Sequence, residues 1–489
     1  MPNALLKMRF AASLSISAMM RAPQLAATLM QSISFTSLAL RPELQASIAT
    51  LGYASMTPVQ AQTVPQLLQN KDLIAQAKTG SGKTAAFAIG LLNKLDAQTW
   101  STQALVLCPT RELAEQVSAE IRRLASTIPN IKLLTLCGGK PMGPQLASLQ
   151  RDPHIVVGTP GRILKHLEKQ TLHLDSVQTL VLDEADRMLD MGFHDDIMQI
   201  IDTTPRTRQT LLFSATYPEG ISAISGKVQR DPVSIRVEAS HQSADIEQVF
   251  YQVENRSRVE ILYKVIAHYQ PESSLVFCNT KQQCEELAAA LVARDLHACA
   301  LHGDMEQFER DQVLTQFAGK SSSILIATDV AARGLDVKEL AAVINFELSR
   351  DPEVHIHRIG RTARAGSKGL AVSLFTTAER RQLQAIEEYQ GAKARIANVE
   401  TLLAPPNFKL YPPMVTLFVN AGRKEKLRAG DLLGALTASG EISGDQIGKI
   451  TLFDKIAYVA VAQQVAKLAL TILADGKIKG RSFRVRRLR

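Results

Sequence analysis

The stretch Ala77-Lys78-Thr79-Gly80-Ser81-Gly82-Lys83-Thr84 follows a short apolar run at 72–77. Its small residues let the backbone turn and aim N–H groups at phosphate oxygens. A helix starting after Gly82 would add the positive end of its dipole. In such a loop Lys83 is placed to reach the β- and γ-phosphates of a nucleotide, and Thr84 to hold Mg²⁺. A surface turn could share this composition, but not the strand before it and the helix after it. Asp183 and Glu184 close the apolar run 179–182. Two carboxylates at the end of a buried strand are costly unless they serve a cation. Asp183 suits Mg²⁺ through water, and Glu184 is placed to orient and deprotonate an attacking water. In the second half His357, Arg358, Arg361 and Arg364 are spaced by one, three and three, which groups them on one helical face. That face is either solvated or set to meet a γ-phosphate, where an arginine contributes about 10³–10⁵ in rate.

Groups of this kind need rigid strand ends to hold them. The runs 104–110, 154–160, 179–186 and 210–216 are apolar and end in small or polar residues, and so are 274–280, 323–329 and 341–347. Continuous apolar strands alternating with helices imply parallel sheets covered on both faces. Ligands of such sheets bind beyond the carboxyl ends of the strands. The segments starting at Leu105 and Leu275 agree at five of thirteen positions, which suggests two related α/β domains in tandem. One break is expected near 236–246. A second falls at 404–413, where four of ten residues are proline. The expected division is an extension at 1–33, domains at 34–238 and 239–395, a linker at 396–412 and a third domain at 413–489.

Charge is unevenly shared. The chain carries +9 overall, but residues 405–489 hold 15 Lys or Arg against 6 Asp or Glu, and the first 404 residues hold 41 of each sign. A neutral body with a basic appendix suggests a polyanion partner. The five cysteines include no C-x-x-C pair. Reduced thiols in a cytoplasmic protein are expected, and a cysteine metal site is not. No apolar run approaches the ~18–20 residues of a membrane span. Residues 1–33 contain Lys7, Arg9 and Arg21 but no acid. They read as a targeting peptide, a disordered extension, or an upstream start before Met30, with the last two favoured.

The phosphate loop, Asp183-Glu184-Ala185-Asp186, Ser214-Ala215-Thr216 and the run 357–364 together resemble the DEAD-box RNA helicases, over about residues 35–385. The resemblance implies RecA-like domains, ATP and Mg²⁺ as cofactors, and RNA as partner. It places Gln60 on the adenine edge, with Tyr53 and the upstream Phe35 as the stacking aromatics, and Asp336 on the ribose. It makes Pro109, Thr110, Arg111, Gly138, Gly139, Thr159, Gly161 and Arg162 RNA contacts of the first domain. Gln307, Arg310 and Thr328 are their counterparts in the second. Ser214 and Thr216 would couple hydrolysis to RNA, and Arg361 and Arg364 would be the fingers. The chain departs from the family in Ala77 and Ala363, where glycine is commoner; neither change removes a functional side chain. An ATP-gated RNA clamp and a DNA helicase are the competing readings.

Residues 413–489 read as strand, helix, two strands, helix and strand, the order of an RNA-recognition-motif fold. Phe418 and Tyr458 are either stacking aromatics or core. Arg423, Lys424, Lys426 and Arg428 sit in one loop beside a helix start and are the expected RNA contacts of this module. The tandem resembles a bacterial DEAD-box subfamily whose C-terminal module docks on a hairpin of 23S rRNA. That resemblance implies work on pre-50S particles by a monomer.

Overall fold

The computed structural model describes residues 34–77, 80–214, 216, 219–237, 246–254, 257–332, 340–362, 369–405 and 408–488. The extension at 1–33, the domain boundary near 239, Lys78, Thr79, Asp336, Ala363 and Arg364 lie outside them. The chain forms two compact units, Met1–Ala239 and Ser240–Arg489.

In the first unit seven strands pair in parallel. Their order is Leu133–Leu136, Ile155–Gly158, Ala104–Leu107, Thr179–Asp183, Gln209–Ser214, Leu73–Gln76 and Val233–Arg236. The central strands are buried along their whole length, as a sheet with helices on both faces requires. One face packs through Phe87, Ala114, Val117 and Ile121, the other through Ile163, Met188, Ile197 and Ile200.

The second unit repeats the design. Its parallel order is Ala298–Leu301, Ile324–Thr328, Ser274–Cys278, Ala342–Asn345, Gly369–Phe375, Ile246–Gln252 and Ile396–Ala397. The internal echo marks equivalent junctions. Thr110 and Thr280 each follow a strand by two or three residues and cap the next helix, their hydroxyls accepting from the N–H of Leu113 and Gln283 at 3.2 Å. Such a cap contributes about 1 kcal/mol.

Residues 396–412, expected as a linker, are instead packed on the second sheet. Ile396–Ala397 adds a parallel strand beside Ile246–Gln252. Leu402 and Phe408 are buried in that domain's core, and Lys409 pairs with Asp295 at 2.9 Å. Pro405, Pro412 and Pro413 therefore lie in a strap rather than a free tether.

The last domain is a four-stranded antiparallel sheet in the order Ile447–Leu452, Ala457–Ala462, Met414–Val419 and Val485–Arg487. One face packs on the helices Ala429–Thr437 and Ala466–Asp475 through Leu417, Val459, Leu432 and Leu473. On the opposite face Thr416, Tyr458 and Ala460 are buried, while Phe418 is half-buried beneath Arg486. Thr416 Oγ1 meets Ser321 Oγ of the second sheet's domain at 2.6 Å, and the Met414 N–H donates to the Lys320 carbonyl at 3.3 Å. A methyl group at Gly319 would lie 3.3 Å from Ala460 Cβ.

Candidate nucleotide site and nucleic-acid interface

Gly82 enters the helix Lys83–Lys94 at φ +94, a left-handed conformation natural to glycine. Space also demands glycine there, since a Cβ would lie 2.6 Å from Gln60 Nε2. Gln60 in turn donates to the Gly82 carbonyl at 3.2 Å and accepts from the Thr57 N–H at 2.8 Å. The expected adenine reader is thus bolted to the phosphate loop. Lys83 is buried, and its ammonium donates to the Ala77 carbonyl at 2.6 Å, so it is folded back over the loop. Gly80 and Ser81 form the turn between, and Thr84 lies in the helix's first turn. Phe35 is 3% exposed and meets Tyr53 edge-on at 5.9 Å. The Tyr53 hydroxyl bonds Glu120 and accepts from Arg123 Nη2 at 2.8 Å.

Asp183 ends its strand fully buried. Burial pushes its carboxyl up to about 7, against the pull of Lys83 and with a further push from Glu184. A bound cation would offset that burial. Glu184 follows in the left-handed region at φ 51, ψ 51, the N-cap of the helix Ala185–Asp190. A non-glycine residue there stores strain, as functional sites often do. Behind this pair the Thr216 hydroxyl and N–H both donate to Asp186 Oδ2, at 2.9 and 3.3 Å. The Ala77 N–H donates to the Ser214 carbonyl at 3.0 Å. Ser214 Oγ and Asp186 Oδ1 are buried without a hydrogen-bond partner among the described residues. Unsatisfied polar atoms and a carboxyl lifted by burial fit a site built for a Mg²⁺-nucleotide.

Among the expected RNA residues of the first domain, Gly139 at φ +75 bends the chain around Arg111. A Cβ there would lie 2.1 Å from the guanidinium. Pro109 is buried, and Thr110 and Thr159 are half-buried at helix starts, with Gly161 one turn on. Arg162 is committed inside the protein, to the Lys140 carbonyl at 3.0 Å and Gln145 Oε1 at 2.8 Å. In the second domain Gln307 donates to Asp311 at 2.9 Å, and the buried Arg310 to the His302 carbonyl at 3.0 Å. The Thr328 hydroxyl accepts from the Ala331 N–H at 3.4 Å. His357 and Arg361 are half-buried at the end of the helix Pro352–Ile359.

In the C-terminal domain Arg423, Lys424, Lys426 and Arg428 are all exposed. Their loop is pinned by the Arg423 and Lys424 N–H groups, donating to the Phe453 and Asp454 carbonyls at 2.9 and 2.8 Å. Lys479 joins them, its ammonium 3.2 Å from the Lys426 carbonyl. Tyr458, a candidate stacking ring, is 0% exposed and packed against Phe418 and Phe453. Burial lifts its hydroxyl to about 12. The ring is core, not a platform for bases.

Three family profiles match the chain: DEAD/DEAH box helicase at 57–224, helicase conserved C-terminal domain at 257–366, and DbpA RNA binding domain at 416–487. The ATP-dependent RNA helicase DbpA of Escherichia coli is 52% identical over 458 residues, 93% of this chain and 100% of that protein. The chain belongs to the DEAD/DEAH box helicase family. The helicase CshA of Bacillus cereus is 43% identical over 370 residues, 76% of this chain and 70% of that one. The structure of S. cerevisiae Dbp5 bound to RNA and ADP BeF3 superposes with a TM-score of 0.69 at 29% identity, covering 75% of this chain and 96% of that one. The protein is therefore an ATP-dependent RNA helicase with RNA-dependent ATPase activity, built on two RecA-like domains.

Three side chains of this helicase escaped the reading from sequence. Asp186, the last acid of its motif, holds Thr216. Lys479 extends the basic loop. Arg358 is buried at 2% exposure, whereas Arg361, three residues on, is half-buried. Membership of the motif 183–186 was the signal for the first, and the basic run at the C-terminus that for the second.

Proposed function

We propose that this helicase uses ATP to pry apart a few base pairs of structured RNA, and that its C-terminal domain carries it to a hairpin of 23S rRNA in maturing large ribosomal subunits. In this reading Lys83 holds the β- and γ-phosphates, Gln60 reads adenine, and Asp336 binds the ribose. Thr84 and Asp183 hold Mg²⁺, which neutralises charge on the phosphates. Glu184 takes the proton of the attacking water, while Arg361 and Arg364 stabilise the charge of the transition state. Thr216, held by Asp186, ties the motif at the end of the strand Gln209–Ser214 to the hydrolytic acids. Thr110, Arg111 and Gly139 contact RNA in the first domain, and Thr328 meets an RNA phosphate in the second. Gripping one bent strand is incompatible with a regular duplex, so unwinding is local.

The observation that carries the targeting is where the positive charge sits. The loop 423–428 presents four exposed cations, while on the face of the sheet that would stack bases Tyr458 is buried and Phe418 half-buried. Phosphate contacts and loop readout thus replace stacking on the sheet. The relative of matching length is named a DbpA helicase, which agrees with this reading. We take the protein to act as a monomer in the cytoplasm. Single-turnover strand separation tests the function. An RNA duplex flanked by the 23S hairpin should open with ATP, and a DNA duplex of the same sequence should not. ATP-dependent retention of RNA without separation would identify a clamp instead.

A further inference from the structure

Arg358 has five N–H donors, and five hydrogen bonds leave it. Nε and Nη2 grip the two Asp329 oxygens at 2.7 Å each. Nη2 also reaches Asn279 Oδ1 at 3.1 Å, and Nη1 reaches Asn345 Oδ1 at 3.3 Å and the Glu347 carbonyl at 2.8 Å. The Phe277 ring lies 5.1 Å from the guanidinium. These partners sit at strand ends. Asn279 follows Ser274–Cys278, Asp329 follows Ile324–Thr328, and Asn345 closes Ala342–Asn345 while bonding Ser373 of the next strand at 2.9 Å.

Two neighbours give this node a direction. Thr328, read above as an RNA contact, directly precedes Asp329. Arg361, read above as a finger, donates its backbone N–H to the Arg358 carbonyl at 3.2 Å. We propose that Arg358 is a positioning residue, whose fork locks the strand end that meets RNA to the turn that presents Arg361, so that RNA engagement sets the finger for hydrolysis. The proposal rests on the finger and RNA-contact readings of the preceding subsection. Stability alone does not call for this arrangement. A buried ion pair gains little net stability over an apolar filling of equal volume. What arginine adds over lysine is a rigid planar fork that fixes several partners at once.

The test is steady-state hydrolysis by the full chain at saturating RNA. Arg358→Lys keeps the charge and loses the fork, so turnover should fall on the order of 10²-fold, as for a misplaced catalytic group, with KM for ATP moving far less. Added to Arg361→Ala, the same change should cost nothing further, because both act through one group. Asp329→Asn keeps the shape and one acceptor. It should lower turnover in the same direction by less, and it carries the test if the lysine variant fails to fold. Circular dichroism and melting confirm folding of each chain. A folded Arg358→Lys or Asp329→Asn chain at the parental rate overturns the proposal. So does a loss that multiplies with that of Arg361→Ala, since the arginine would then act independently of the finger. Parental hydrolysis by Arg361→Ala alone overturns the finger reading, and the positioning role with it.

Discussion

Glu184 and Arg358 show how differently residues of the two helicase domains reveal themselves. Two acids at the end of an apolar run cannot be explained by packing, so Glu184 was legible from sequence, although its left-handed backbone was not. Glu184→Gln should keep ATP and RNA binding and abolish turnover, leaving a complex that releases RNA slowly. Near-normal hydrolysis in that variant would remove the base from its role. Arg358 looks like Arg361 in sequence, because spacing does not tell how many acceptors an arginine finds inside the fold. His355, one turn earlier, was equally hidden. It is buried against Phe250 with both ring nitrogens unpaired among the described residues. Burial, and then Arg358, hold its pKa down to about 3. The unfolded chain therefore binds a proton here that the folded one refuses, at pH values between about 6.5 and about 3. The stability from its neutral form is complete above that window and is lost as pH falls through it, at up to about 1.4 kcal/mol per pH unit. His355→Phe should flatten the acid limb of the melting curve for the second unit, and an unchanged limb would show that another group titrates there.

At the scale of elements, the parallel sheets were legible because buried strands flanked by helices leave continuous apolar runs. The order of the last domain was legible because its local periods alternate between strand and helix. Whether Tyr458 stacks or is core was left open by the sequence, although the strand Ala457–Ala462 carried a signal. It is apolar at every position but Tyr458, whereas an antiparallel strand with one wet face alternates. The strap at 396–412 was missed because prolines mark turns without saying whether a surface waits beneath them. Ser321→Arg would place a long cation where Ser321 meets Thr416, touching neither domain's core. Limited proteolysis should then cut the strap at 404–413 faster, while each domain keeps its fold. An unchanged cutting rate would mean that the contact is held by groups other than this pair.

For the molecule as a whole, the charge split states the division of labour. The first 404 residues are balanced in charge and the last 85 carry the whole excess; in the proposed reading the former do the ATP chemistry and the latter choose the RNA. Because that domain packs on its neighbour, removing it would bare a face of the helicase, so substitution in the full chain is the cleaner probe. The measurement that tests this account most directly is ATPase activity against the concentration of a 23S rRNA fragment and of an unstructured RNA. The parent is compared with the chain in which Arg423, Lys424, Lys426 and Arg428 are alanine. The substituted chain should lose its response to low concentrations of the 23S fragment. It should keep its response to high concentrations of unstructured RNA, and its salt slope for hairpin binding should flatten by about 0.7–0.9 for each phosphate the loop no longer neutralises. If it responds to the 23S fragment as the parent does, the basic loop is only solvated surface, and the choice of RNA is made elsewhere.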